Sequence, residues 1–299
     1  MTAKRRLGVI GAGNIGGAIA ANLLADGHAV TVHDSDATRV RGLVRAGATA
    51  AASAAAVAER SDVTFTSLPS PSVVEAVAEA WLAGAAPDAV LVDLSTNAPE
   101  TVRRVGGRLA AAGRHLLEAP LTGGAPGAQA RMLVFMVGGE RAVYERCLPF
   151  LQRLGRAVFH MGPLGLGNTT KLVNSLLAFT ATWASLEGLA IAAKAGVNLR
   201  TMIDVVRAGG AGNFFTDRMV EGINERGRPT QFALALAAKD AGLLLDVARD
   251  AGVPVRVATE VTQALVAAVG AGLGERDFTD LVELMERQAG VALRLPPAA

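Results

Sequence analysis

The stretch Leu7-Gly8-Val9-Ile10-Gly11-Ala12-Gly13-Asn14-Ile15-Gly16 decides how the first half of this 299-residue chain is read. Leu7–Ile10 is a short apolar run of strand character. A glycine turn follows, and then a helical pattern from about Asn14 to Asp26, closed by Gly27. Strand, Gly-x-Gly-x-x-Gly and helix in that order are the setting a dinucleotide needs. Gly11 permits the tight turn, Gly13 lets the backbone approach a pyrophosphate, and Gly16 lets the helix pack closely on the strand. The helix start offers N–H groups and a positive dipole end to the phosphates. The expected cofactor contacts therefore run through Gly11, Ala12, Gly13, Asn14, Ile15 and Gly16.

The second strand, Ala29–His33, leads into Asp34. An acid roughly 20 residues past the glycine turn is placed to bond the adenosine ribose hydroxyls. A carboxylate there repels a 2′-phosphate, so NAD is expected before NADP. Arg39, one helix turn on, keeps NADP open. FAD is the other dinucleotide, and the short distance to the next motifs argues mildly against it.

Working outward, apolar strands at Asp62–Ser67, Ala89–Asp93, His115–Ala119 and Leu133–Val137 alternate with helical stretches at Thr38–Ala46 and Ser72–Ala83. This alternation predicts a parallel sheet covered on both faces. Past the loop Gly162–Gly167 only helices are expected: about Asn168–Ala195, then Leu199–Ala208, Phe214–Gly222, Gln231–Ala251, Val255–Gly270 and Asp277–Gln288. The fold class is thus an α/β Rossmann domain, a long interdomain helix and an all-α C-terminal domain. The expected divisions are a dinucleotide-binding domain over 1–163, a connecting helix over 164–195, a substrate and dimerisation domain over 196–292, and a loose tail over 293–299.

Composition narrows the function classes. With 29 basic against 27 acidic residues and a net charge of +2, there is no electrostatic case for nucleic acid or an anionic membrane. Apolar residues make up 51%, enough for a sizeable core, but aromatics only 4%, so Ala, Val and Leu must fill it. A lone cysteine, Cys147, excludes an intrachain disulfide framework, fits a reducing cytosol and reads as a buried small hydrophobe. No stretch reads as a signal peptide or a membrane span, and a cytoplasmic location is expected. No His/Cys/Asp/Glu cluster has metal-ligand spacing, so no metal is expected.

Five ordered motifs then bring a family into view. Asp93-Leu94-Ser95-Thr96 ends a strand. Pro120-Leu121-Thr122-Gly123-Gly124-Ala125-Pro126-Gly127-Ala128 follows another. Met136-Val137-Gly138-Gly139 closes a third segment. Gly165-x-Gly167-x-x-x-Lys171-x-x-Asn174 opens the long helix, and Lys239-Asp240 sits in a later one. In this order the chain, from Leu7 to about Gln288, resembles the β-hydroxyacid dehydrogenases, relatives of 6-phosphogluconate dehydrogenase. The resemblance implies hydride transfer between a nicotinamide and a small hydroxy acid or semialdehyde. It assigns Lys171 the acid/base role and Thr96 a cofactor contact. It also points Lys239 at the cofactor, where a snorkelling lysine would be the plain reading. Leu68 and Pro69, just past the strand Asp62–Ser67, count among the cofactor contacts.

The residues carry their own argument for the chemistry. Alcohol oxidation needs a base for the hydroxyl proton near neutral pH. His28, His33, His115 and His160 are scattered outside the motifs. Lys171, near a helix start, feels the positive dipole end that disfavours its charge. Asn174 and Ser175 share its helix face and could hold the substrate hydroxyl, Asn174 being favoured. The Thr122-Gly123-Gly124 loop should present N–H groups to a substrate carboxylate. The family usually has Ser at the position of Thr122. Arg131, where the family commonly has glycine, is expected to face solvent, with an added anion contact as the alternative. Trp183, Phe214, Phe215 and Phe232 read as core or dimer interface before pocket lining.

Two readings compete with a dehydrogenase. Imine reductases share the architecture but commonly lack the lysine. A non-catalytic dinucleotide sensor would bind without turnover. Phosphogluconate itself is not the expected substrate, because the chain reads as too short for that enzyme's larger helical domain. A homodimer or homotetramer is expected from the long helix and the apolar second domain.

Overall fold

The computed structural model describes residues 5–297. Its first unit, through Lys171, is built on one nine-stranded sheet. The elements in order are β1 (Arg6–Ile10), α1 (Asn14–Ala25), β2 (Ala29–His33), α2 (Ala37–Arg45), β3 (Thr49–Ala50), α3 (Ala54–Ala58), β4 (Val63–Thr66), α4 (Pro71–Leu82), β5 (Val90–Asp93) and α5 (Pro99–Ala111). There follow β6 (His115–Glu118), β7 (Leu121–Thr122), α6 (Gly124–Gln129), β8 (Leu133–Gly138), α7 (Arg141–Leu154) and β9 (Gly155–Gly162). Strand order is β3-β2-β1-β4-β5-β6-β8-β7, with β9 also against β8.

The first six strands pair in parallel, with register Leu7↔Val30 and Leu7↔Val63 at the centre. One expectation of the parallel series fails at β8, which runs antiparallel to both β6 and β7. A parallel return needs a full crossover. The connection from β6 instead carries only the two-residue β7 and the six-residue α6, so the chain re-enters from the opposite end. The 14-residue α7 then supplies a true crossover, and β9 lies parallel to β8.

Helices cover both faces. Leu7, Val9, Ile19, Leu23, Val32, Phe65 and Leu151 belong to one buried cluster, and Val57, Trp81, Leu91, Val105 and Leu109 to another. Trp81 is fully buried and donates its indole N–H to Thr64 Oγ1 at 2.9 Å, which satisfies the one polar atom it takes inside.

The second unit, Leu172–Ala299, is helical. The 29-residue α8 (Leu166–Lys194) begins in the first unit and supplies Phe179, Leu186, Leu189 and Ala190 to the second unit's core. Among the described residues α8 is the one helix long and apolar enough, by length and composition, to cross a membrane, a test that core helices of soluble proteins also pass. There follow α9 (Leu199–Ala208), α10 (Leu234–Asp250), α11 (Arg256–Ala268) and α12 (Leu281–Ala289). The helix expected over Phe214–Gly222 is a π turn, Phe215–Met219, running into a 3-10 stretch, Val220–Asn224. The Asn213 side-chain oxygen accepts from Phe215 N at 3.0 Å and sets that irregular start.

Phe215 is buried, and Phe232 joins Phe179 and Phe278 in an aromatic cluster with centroids 5.2–6.3 Å apart. Trp183 packs against the same core, while Phe214 is exposed. The tail expected to be loose is pinned over its described part. Leu293 and Leu295 are buried, and Leu295 exchanges two amide hydrogen bonds with Asn224, 2.9 and 3.0 Å long. Two leucines with somewhere to go outweigh the two prolines that suggested a free end.

Candidate active site

The glycine turn has the shape its sequence requires. Gly11 has φ +87°, and a Cβ on it would overlap the Ser67 carbonyl oxygen. A Cβ on Gly16 would overlap the Gly11 carbonyl oxygen. Gly13 differs: the space beside it is open, with only Arg39 Nη1 within 4 Å, at 3.8 Å. Gly13 is also the N-cap of α1, and no side chain caps that helix. An uncapped helix start beside open space fits a dinucleotide pyrophosphate. Asn14 is exposed, Ile15 is half-buried, and Gly11, Ala12 and Gly16 are buried.

Asp34 is turned onto this glycine turn. Its Oδ2 accepts the Ala12 N–H at 2.6 Å, and its Oδ1 accepts the Asp36 N–H at 2.8 Å. Arg39 Nη1 lies 3.7 Å from Oδ2. The acid and the arginine thus meet where adenosine ribose recognition is expected.

The carboxyl ends of β4 and β5 are laced together. Buried Asp93 accepts from Thr66 Oγ1 at 2.9 Å and from Ser95 N at 3.1 Å. Burial pushes its carboxyl up from the ordinary value, against those hydrogen bonds. Ser95 Oγ in turn accepts the Leu68 N–H at 2.9 Å, so Leu68 and the half-buried Thr96 are set on neighbouring strand ends. Pro69 is exposed beside them.

A second network escaped the sequence reading. Glu118, the fully buried last residue of β6, accepts four hydrogen bonds. Its Oε1 takes the N–H groups of Gly165 at 2.5 Å and Gly167 at 3.0 Å. Its Oε2 takes the N–H of Asn168 at 3.0 Å and that residue's side-chain amide at 2.6 Å. Asn168 Oδ1 accepts the Asn97 N–H at 2.7 Å. Burial pushes the Glu118 carboxyl up, opposed by these donors. A Cβ on Gly138 would run into the Glu118 carboxyl group, and one on Gly167 into the Met136 carbonyl oxygen, which accounts for glycine in both motifs. A charged residue closing an apolar strand, directly before Ala119-Pro120, was the available signal for Glu118.

Lys171 is half-buried and is the sixth residue of α8, because the helix begins two residues earlier than its periodicity suggests. The helix start therefore acts on Lys171 more weakly than a first-turn position would allow. Asn174 and Ser175 lie one turn further on. Asn174 is exposed and Ser175 is buried. Thr122 pairs with Val134 across β7 and β8, and Gly123 and Gly124 both take positive φ, +123° and +62°. Lys239 belongs to α10 of the second unit, its ammonium 3.0 Å from Asp240.

Several other residues have structural partners. Arg131 is not solvent-facing as expected. Its Nη1 lies 3.0 Å from each Asp26 oxygen, and its Nη2 donates to Asn22 O at 3.0 Å. His115 meets Asp88 at 2.8 Å, His160 meets the Gly139 carbonyl at 2.9 Å, and His33 meets the Ala51 carbonyl at 3.0 Å. Burial pushes the Cys147 thiol up to about 12 and leaves it no nucleophile. Among the described residues no group of three His, Cys, Asp or Glu could hold a metal ion.

Residues 6–162 match the family model described as the NAD-binding domain of 6-phosphogluconate dehydrogenase. Residues 165–285 match the one described as the NAD-binding region of NADP-dependent 3-hydroxyisobutyrate dehydrogenase. The chain is 31% identical to 2-(hydroxymethyl)glutarate dehydrogenase of Eubacterium barkeri, over 96% of this chain and 97% of that one. The chain belongs to the β-hydroxyacid dehydrogenase family. Within this family it is 37% identical to 3-hydroxyisobutyrate dehydrogenase of Pseudomonas aeruginosa, over 79% of this chain and 83% of that one. The solved 3-hydroxyisobutyrate dehydrogenase of Mycobacterium tuberculosis, with L-serine, superposes with a TM-score of 0.86 at 27% identity, covering 94% of this chain and 98% of that one. An imine reductase from Pseudomonas sp., 22% identical with a TM-score of 0.63, shares the fold alone. Membership makes this β-hydroxyacid dehydrogenase an NAD(P)-dependent oxidoreductase of hydroxy acids.

Proposed function

We propose that the chain oxidises small acids of the type HOCH2–CHR–COO⁻, or reduces the matching semialdehydes, with Lys171 as general base and acid. The observation that carries this reading is Lys171 itself, on a helix whose start is tied to Glu118 and to Asn97, the residue after Thr96. The substrate class is supported by the relatives: 3-hydroxyisobutyrate, 2-(hydroxymethyl)glutarate and L-serine all carry a hydroxymethyl group on the carbon next to the carboxylate.

When bound, the nicotinamide takes up a hydride from the alcohol carbon in oxidation and supplies one in reduction. The neutral Lys171 Nζ removes the hydroxyl proton in oxidation, and its ammonium returns a proton to the carbonyl oxygen in reduction. The Thr122 hydroxyl and the backbone of Gly123 and Gly124 hold the substrate carboxylate. Asn174, with Ser175 behind it, steadies the substrate hydroxyl. Gly11 to Gly16, Asp34, Leu68, Pro69, Thr96 and Lys239 hold the dinucleotide. Asp34 favours NAD, and Arg39 admits NADP.

The reading extends to a homodimer or homotetramer in the cytoplasm, without nucleic-acid or membrane partners. Exposed apolar Val173, Leu177 and Ile191 along α8 support the assembly. The near-neutral charge and the buried unpaired thiol of Cys147 support the rest. A steady-state screen of hydroxymethyl acids with NAD and NADP in parallel tests the activity. Turnover of cyclic imines with none of any hydroxy acid would overturn it.

A further inference from the structure

We infer that Glu118 is a positioning residue for this reaction, acting through Lys171. The inference rests on the acid/base reading of Lys171. Glu118 is fully buried and ends β6, and its two oxygens take four N–H donors from Gly165, Gly167 and Asn168. Every one of those donors belongs to the loop and first turn that lead into Lys171, three residues beyond Asn168. A single carboxylate therefore fixes where α8 starts, in height and in rotation about the helix axis. Asn168 extends the clamp, because the same side chain that donates to Glu118 accepts the Asn97 N–H at 2.7 Å.

Two features mark the clamp as built for a carboxylate. Each oxygen faces two donors and no acceptor, an arrangement that an ionised acid fills completely. Gly138 leaves the room it occupies, since a Cβ there would overlap the Glu118 carboxyl group, and Gly167 lets the loop come close, since a Cβ there would overlap the Met136 carbonyl oxygen. An amide in its place would turn an NH2 group toward donors on one side and drive the loop away. Reactions of this kind are sensitive to such displacements, and a shift of about 1 Å at an acid/base group can cost roughly 10²-fold in rate.

The test is a double-mutant cycle on the full-length protein, combining Glu118→Gln with Lys171→Ala. Glu118→Gln is expected to lower kcat by about 10²-fold while the NAD dissociation constant, read by fluorescence titration, stays within about twofold. In the Lys171→Ala background the same change is expected to leave the residual kcat unaltered, because the group it positions is gone. Multiplying losses, or a loss confined to NAD binding, would show a structural role and overturn the inference while leaving the lysine reading intact. Full activity of Lys171→Ala alone would overturn both. Should Glu118→Gln not fold, Asn168→Ala keeps three of the four bonds to Glu118, and the same non-additivity with Lys171→Ala is expected.

Discussion

The Oδ2 atom of Asp34 accepts the backbone N–H of Ala12 at 2.6 Å, so the acid that follows β2 and the glycine turn that follows β1 form one unit. Asp34 therefore shapes the turn in addition to its proposed role at the ribose. Asp34→Asn is expected to raise KM for NAD about tenfold, some 1.4 kcal/mol, with kcat nearly unchanged. Arg39→Ala should lower kcat/KM with NADP more than with NAD. Parallel kinetics with both cofactors check this, and an unchanged NADP/NAD ratio in Arg39→Ala would remove Arg39 from cofactor selection.

Lys171→Ala is expected to lower kcat by about 10²–10⁴-fold with NAD binding retained. Fluorescence titration beside steady-state kinetics separates the two effects. Retained turnover in a variant that binds NAD normally would sink the acid/base role.

Gly138→Ala places a methyl group against the Glu118 carboxyl group. The site has no slack, because Glu118 is held by four donors. A destabilisation of about 1–3 kcal/mol is expected, of the size seen for overpacking. Denaturant unfolding measures it, and a change below about 0.5 kcal/mol would show that the clamp can shift freely.

The Arg153 guanidinium, together with Arg131, holds the Asp26 carboxyl well below the usual carboxylate range. A carboxyl whose folded value is depressed adds stability that is present above its unfolded value, near 3.8, and lost as pH falls below it. Asp26→Asn should therefore lower the melting temperature at pH 7. It should also flatten the fall in melting temperature between roughly pH 5 and 3. Calorimetry across that range checks both, and parallel curves for the two proteins would count against the ion pair.

The local elements of the cofactor site were legible in the chain because they are set by local rules. Gly11, Gly13 and Gly16 are dictated by backbone conformation and close approach within a few residues. The alternation of apolar strands and helices dictated the covered sheet, and the ordered motifs up to Lys239-Asp240 dictated the family. The direction of β8 was not legible, since it depends on how far a short connection carries the chain. Nor was the fate of Arg131, whose partner Asp26 is 105 residues away in sequence. The clamp at Glu118 is of the same kind. Its donors lie 47 to 50 residues on, and a buried acid at a strand end means little until the fold delivers N–H groups to it. Sequence determined the glycine turn at the start of α1 and the lysine near the start of α8. Tertiary structure decided what holds that lysine's helix in place, because hydrogen-bond partners from distant segments exist only once the sheet has brought its strand ends together.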